Sequence, residues 1–265
     1  MSPAAAPQVD RSLVLNKERI AFETDKGVGR RASLGLLVLR TDQTIEDEFR
    51  FALPDDGIAL YGARLFNDVA ITPETLAKMS DQVPGTVGLL PDVDFDVIGF
   101  ACTSGALVIG EDRIAARVHE VLPDVKVTDP VTAVRTALGA LGISRIALLT
   151  PYMASINHKM RDSLMARGMD IPVMGSFNEP DDNTVARITE ASVERALLDI
   201  GSSDDCDGVF VSCTSLRLAR IVERVEQKLG KPVTSSNHAL AWHMLRLAGV
   251  AEEIPGKGEL FRRPL

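Results

Sequence analysis

The sequence predicts an α/β protein of two similar halves, each a four-stranded parallel sheet flanked by helices. Three observations carry that expectation. Short apolar runs alternate with longer stretches of helical period, the pattern of parallel strand–helix–strand units. Ser33–Leu39 (SLGLLVL) returns as Ser144–Thr150 (SRIALLT), 111 residues later. Asp96–Gly105 (DVIGFACTSG) returns as Asp207–Leu216 (DGVFVSCTSL), with Cys102 and Cys213 at the same 111-residue spacing. A third echo, Val127–Ile143 against Val233–Val250, keeps the order, and an ordered set of matches marks a duplicated architecture.

Taken along the chain, the apolar runs predict strands at Leu34–Leu39, Ile58–Leu65, Val97–Ala101 and Val125–Thr128, then at Ile146–Thr150, Ile171–Met174, Gly208–Ser212 and Pro232–Ser235. Thr72, Pro73 and Glu74 supply a cap, a first-turn proline and a first-turn carboxylate for the helix that follows. Ile114, Val118, Val121 and Leu122 share one helical face, as do Val193, Ala196, Leu197 and Ile200 before Gly201. Leu218, Ile221, Val222, Val225 and Leu229 form another apolar face, closed by Gly230 and Pro232. Each half is therefore Rossmann-like, and its helices are expected to cover a buried sheet. The division expected is an N-terminal arm over residues 1–30, a first half over 31–132 together with 237–265, and a second half over 133–236. The tail Glu252–Leu265, with its prolines and glycines, reads as irregular and able to reach a neighbour.

With 265 residues, 45% hydrophobic and 25% charged, the chain has the composition of an ordinary folded protein. Its net charge of −8 comes from dispersed acids, and no basic stripe is present to follow phosphates. Nucleic acid and anionic membrane are thus not expected partners. The apolar runs are too short to cross a bilayer, and the N-terminus lacks the pattern of a secretory signal. Three cysteines fit reduced thiols in a cytoplasmic setting better than a disulfide framework.

The repeat puts both Cys-Thr-Ser segments beyond the carboxyl ends of strands, where ligands collect in open parallel sheets. Free backbone N–H groups and the positive end of a helix dipole there welcome a carboxylate and favour thiolate over thiol. Two thiols facing each other across a cleft suit proton transfer or addition at a carbon next to a carboxylate, with no metal or cofactor required. A single strand-end cysteine is more often a small buried apolar residue, and Cys206 in its acidic loop is read that way or as a merely exposed thiol. The matched pair argues against that reading for Cys102 and Cys213.

The paired cysteines, with FACTSGALVIGE (Phe100–Glu111), LLTPY (Leu148–Tyr152), GSFNEPDDN (Gly175–Asn183), VSCTSLRLA (Val211–Ala219) and VTSSNHALAWH (Val233–His243), resemble the Asp/Glu racemase superfamily. Within it the chain looks like the maleate cis-trans isomerase and arylmalonate decarboxylase branch, and is most similar there to the ectoine-utilisation proteins. The resemblance runs from about residue 33 to 250. It implies Cys102 as the nucleophile that adds to a double bond, Cys213 as the acid/base, and Tyr152 and Asn183 as carboxylate ligands. Thr103, Ser104, Thr214 and Ser215 would line two anion pockets.

One departure bears on the substrate. Isomerases of this branch carry an asparagine in a Ser-Asn-Thr-Thr type loop after the first strand, and here the loop reads Thr41-Asp42-Gln43-Thr44. Gln43 can replace the amide, whereas Asp42 sets a negative charge beside an anion site. The expected function is a cofactor-independent isomerase of a small (di)carboxylate. The alternatives are a racemase or epimerase of an amino-acid derivative, or a non-catalytic carboxylate-binding protein. A decarboxylase is disfavoured because such relatives keep only the second-half cysteine. Asn183 can instead cap a helix, Tyr152 can close a sheet end, and His238, His243, Arg64 and Arg217 can serve packing or surface pairing. A homodimer or larger homo-oligomer is the default.

Overall fold

A computed structural model describes residues 19–67 and 73–265. Its first sheet holds β1 (Ala32–Leu39), β2 (Ile58–Leu65), β3 (Val97–Ala101) and β4 (Lys126–Thr128); its second holds β5 (Arg145–Thr150), β6 (Asp170–Ser176), β7 (Gly208–Val211) and β8 (Val233–Ser235). The strand orders are β2-β1-β3-β4 and β6-β5-β7-β8, the same in both, and all pairings are parallel. The 111-residue repeat is thus a repeat of topology. The helices are α1 (Ile45–Ala52), α2 (Pro73–Val87), α3 (Thr103–Ile109), α4 (Glu111–His119), α5 (Pro130–Leu141), α6 (Ala154–Met165), α7 (Asp182–Val185), α8 (Glu190–Gly201), α9 (Val222–Leu229) and α10 (Ser236–Leu247).

The strand patterns explain the order. β1, β3, β5 and β7 carry continuous apolar runs and are buried on both faces, as central parallel strands must be. β2 and β6 mix buried with partly exposed positions and lie at the edges. The acidic residue that opens each long repeat has the same duty in both halves. Asp96 accepts a hydrogen bond from the Ser33 amide at 2.8 Å, and Asp207 accepts from the Ser144 and Arg145 amides at 3.0 and 2.8 Å. Each carboxylate pins the entry of its half's first strand to the loop before the cysteine strand.

Contacts between the halves are equally specific. The Glu48 carboxylate of α1 is buried and accepts the amide hydrogens of Leu218 and Ala219 from the second half, both at 2.9 Å. The Thr44 hydroxyl donates to the Ser215 carbonyl at 3.1 Å. Helix α10 packs on α1, α5 and β3. Gly99 permits that approach, since a Cβ there would lie 2.6 Å from the Met244 sulfur.

Some expectations need correction. The apolar face from Leu218 to Leu229 is helical only from Val222, because Ser215–Ile221 turns to meet Glu48. The tail folds back on its own chain: Leu260 and Phe261 are buried in a 3-10 turn at Glu259–Arg262, and Trp242 and Arg246 donate to the Arg263 carbonyl at 3.0 and 2.9 Å. The expected junction at residues 132–133 falls inside α5, whose start is fixed by the Asp129 carboxylate accepting the Val131 and Thr132 amides. Most of the expected N-terminal arm and the Thr72 cap lie outside the described residues. No helix among the described residues is long and apolar enough to cross a membrane.

Candidate active site

In each sheet the winding changes side between the first and third strands of the half, so the loops after β1 and β3 leave one sheet side by side, as do those after β5 and β7 in the other. Those four loops carry Asp42, Cys102, Tyr152 and Cys213.

Cys102 is the N-cap residue of α3. Its sulfur accepts the Gly105 amide hydrogen at 3.2 Å, and the Ser104 hydroxyl lies 3.6 Å away. Cys213 has no helix behind it; its sulfur accepts the Ser215 amide hydrogen at 3.3 Å from a turn. The Tyr152 hydroxyl lies close enough to the Cys213 sulfur to favour its thiolate. Tyr152 is held in place through its carbonyl, which accepts from Asn157 Nδ2 at 2.7 Å and from the Ser176 hydroxyl at 2.5 Å.

Electrostatics tie the two thiols to one site. Asp42 and Asp182 act on both sulfurs, and Tyr152 feels both. The expectation of ready thiolates is overturned. Burial pushes the Cys102 thiol up to about 11 and the Cys213 thiol to about 12, with the neighbouring carboxylates adding to the rise. The N–H and hydroxyl donors at each sulfur offset only part of that. Burial outweighs the helix end because α3 is short and each sulfur is at most 4% exposed. Burial likewise raises Asp42, Asp182 and the Tyr152 phenol above their ordinary values.

The remaining candidates divide. Thr214 lies close enough to the Asp42 carboxylate to favour its ionised form. The Ser215 amide serves Cys213, while the Thr103 hydroxyl is turned away to Ser236 at 2.8 Å. Gln43 and Asn183 meet each other, with Gln43 Nε2 donating to Asn183 Oδ1 at 2.7 Å, so these two amides form an exposed bridge between the halves. Asn183 caps no helix: Asp181 caps α7 and Thr189 caps α8. Arg64 braces the β1 loop through the Leu39 and Asp42 carbonyls at 3.0 and 2.8 Å and pairs with Glu46. Arg217 donates to the Ile188 carbonyl at 2.7 Å. His238 and His243 are buried, bonded to Thr234 and Lys257 and to Thr128, and lowered by burial to about 4, which suits packing roles. Cys206 is buried against the Ser203 carbonyl rather than exposed.

Sequence reasoning missed Asp182 and Asn157. Asp182 stands beside Asn183 in the GSFNEPDDN motif, and only the fold shows that it acts on both thiols. Asn157 lies five residues after Tyr152, a spacing that signals nothing until the turn into α6 is known.

The comparisons with known proteins agree on one set of relatives. The family model described as arylmalonate decarboxylase matches residues 52–261. The maleate isomerase of Nocardia farcinica is 28% identical over 87% of this chain and 95% of its own length. The arylmalonate decarboxylase of Bordetella bronchiseptica is 30% identical over 76% of this chain and 89% of its own. Among solved structures, the Nocardia farcinica maleate cis-trans isomerase bound to TRIS superposes with a TM-score of 0.78 at 28% identity, covering 87% of this chain and 98% of that one. A cysteine-to-serine mutant of that isomerase, with a covalently bound succinylcysteine intermediate, superposes with a TM-score of 0.78 at 27% identity over the same shares of the two chains.

Proposed function

The chain belongs to the arylmalonate decarboxylase family, and we propose that within it the protein is a cofactor-independent isomerase of a small unsaturated carboxylate, acting through Cys102 and Cys213. The observation that carries this reading is the shared environment of the two thiols: equivalent strand ends, one pair of carboxylates acting on both, and one tyrosine beside the second. The relatives named maleate isomerase support it, and the succinylcysteine seen in the Nocardia farcinica enzyme shows that a cysteine of this fold can hold a covalent adduct.

In the reaction we infer, Cys102 sulfur bonds to one alkene carbon while its proton passes to Asp182, a carboxylate already raised toward neutrality. The electron pair of the double bond moves to the neighbouring carbon and takes a proton from Cys213. The former double bond is now single and rotates. Cys213, as thiolate, then removes the other hydrogen of that carbon, which the rotation has turned to face it, the C–S bond breaks, and Asp182 returns the proton to Cys102. A Cys213 thiol that stays protonated at neutral pH suits the donor, and the Tyr152 hydroxyl steadies the thiolate it becomes. The electron-rich carbon formed midway is stabilised by the substrate carboxylate, with the amides of the Cys-Thr-Ser turns as its donors.

The test is turnover of maleate and related cis-alkene carboxylates followed by proton NMR. Cys102→Ala and Cys213→Ala should each lower the rate by about 1000-fold or more, as loss of a covalent nucleophile or its acid does. Full activity in either variant would sink the reading.

A further inference from the structure

Asp42 is held in an unusual way. It is 4% exposed, and its Oδ1 accepts the amide hydrogens of Thr44 and Ile45 at 2.8 and 2.9 Å. Its other oxygen, Oδ2, is buried with no hydrogen-bond partner within bonding distance, the Thr214 hydroxyl being the side chain near enough to favour the ionised carboxyl. Buried acceptors are rarely left unpaired, so one that is kept calls for a role. The nearby cation does not fill it: Arg64 donates to the Asp42 carbonyl and pairs with Glu46. The carboxylate acts on Cys102, Cys213 and Asp182, which sets it at the thiols rather than elsewhere in the fold.

A symmetric dianion between the sulfurs would meet two carboxylates, Asp42 and Asp182, eased only by the Arg64 guanidinium, which acts on the Asp42 carboxylate without bonding to it. A ligand nitrogen would instead supply the hydrogen that Oδ2 lacks. Resting on the thiol chemistry proposed above, we propose that Asp42 Oδ2 accepts a hydrogen bond from an N–H group of the substrate, so the molecule handled between Cys102 and Cys213 is a small carboxylate that also carries an amide or amine nitrogen. Asp42 then determines specificity, admitting an N–H donor where a carboxylate-binding amide in the same loop would admit a second carboxylate. The β1 loop holds the carboxylate in place: its Thr44 and Ile45 amides fix one oxygen, and the Arg64 guanidinium fixes the backbone.

The experiment uses Cys102→Ser protein, in which no addition can occur, and isothermal titration calorimetry at neutral pH with two matched pairs of probes. Maleate against maleamate exchanges a carboxylate for a neutral amide; succinate against aspartate adds an ammonium. The proposal expects the nitrogen-bearing member of at least one pair to bind about tenfold tighter or more, the gain from one hydrogen bond to a charged partner. The pair that responds tells amide from ammonium. In the Cys102→Ser, Asp42→Asn double variant that preference should fall to within about threefold, since the carboxylate acceptor is gone. Equal or tighter binding of maleate and succinate overturns the proposal, as does an undiminished preference in the double variant or no binding of any probe. The comparison within Cys102→Ser protein decides the matter even if the Asp42 variant does not fold. Failure of the isomerase reading is seen separately, as retained turnover in Cys102→Ala.

Discussion

The thiols should titrate late. Burial moves Cys102 from 9.0 to about 11. At pH ~7.5 that lowers the thiolate fraction by about 100-fold, each pKa unit being tenfold in the deprotonated population. The higher-pKa thiolate is intrinsically more nucleophilic, which returns up to about tenfold. Alkylation of Cys102 by iodoacetamide should thus be about tenfold slower than for an ordinary thiol before shielding is counted. Its rate should climb about tenfold per pH unit from pH ~7 to ~10 without levelling. Shielding lowers the whole curve and leaves its slope unchanged. Peptide mass spectrometry resolves Cys102, Cys206 and Cys213 separately, and Cys213, at about 12, should show the same unbroken rise. A Cys102 or Cys213 profile that levels off below pH ~8 would refute the reasoning, because it would mean that the donors at the sulfur outweigh burial.

Glu48, raised by burial from 4.5 to about 7, prefers to be protonated in the folded state. Its contribution is fully present below pH 4.5 and lost as pH rises through about 7, so the stability of wild type relative to Glu48→Gln should fall by about 3 kcal/mol across that window in urea titrations; a flat difference would contradict the assignment. Tyr152→Phe removes the hydroxyl beside Cys213 and should lower kcat about 10-fold to 100-fold with circular dichroism unchanged, whereas unchanged kcat would remove Tyr152 from the chemistry. Gly99→Ala drives a Cβ to 2.6 Å from the Met244 sulfur and should cost about 1–3 kcal/mol by chemical denaturation; a neutral effect would show that α10 moves freely on β3.

The parts of this fold that depend on local pattern were legible. All eight strands follow from apolar runs, and the likeness of the two sheets from the repeat, while the strand orders themselves come from the structure. The placement of Cys102 between a strand and a helix is legible too, because Thr103–Ile109 is a helix in its own right. What the residues hid depends on distant partners. Leu218–Ile221 has helical period, yet two of its backbone amides are taken by Glu48, 170 and 171 residues away, so the helix begins later. The tail reads as loose from its prolines and glycines, but Leu260 and Phe261 find a place against α10 that no local rule reveals. The thiols were misread for a related reason: a helix N-terminus can be seen in sequence, while the depth of burial around a sulfur cannot. The sequence shows Asp42 as a negative charge beside an anion site, and the structure adds that one of its oxygens is buried without a partner within bonding distance.

The central claim is that Cys102 bonds to the substrate while Cys213 moves the proton. Its most direct test is intact-mass analysis of Cys213→Ser protein incubated with maleate and, separately, with maleamate. Water can still supply the proton that completes the adduct, more slowly, whereas no thiolate is left to remove a proton again, so the adduct should accumulate. The account predicts a gain of one substrate mass with at least one of the two, mapped to the Cys102 peptide and abolished by Cys102→Ala. An unmodified Cys102 with both, or an adduct on Cys206, would contradict it.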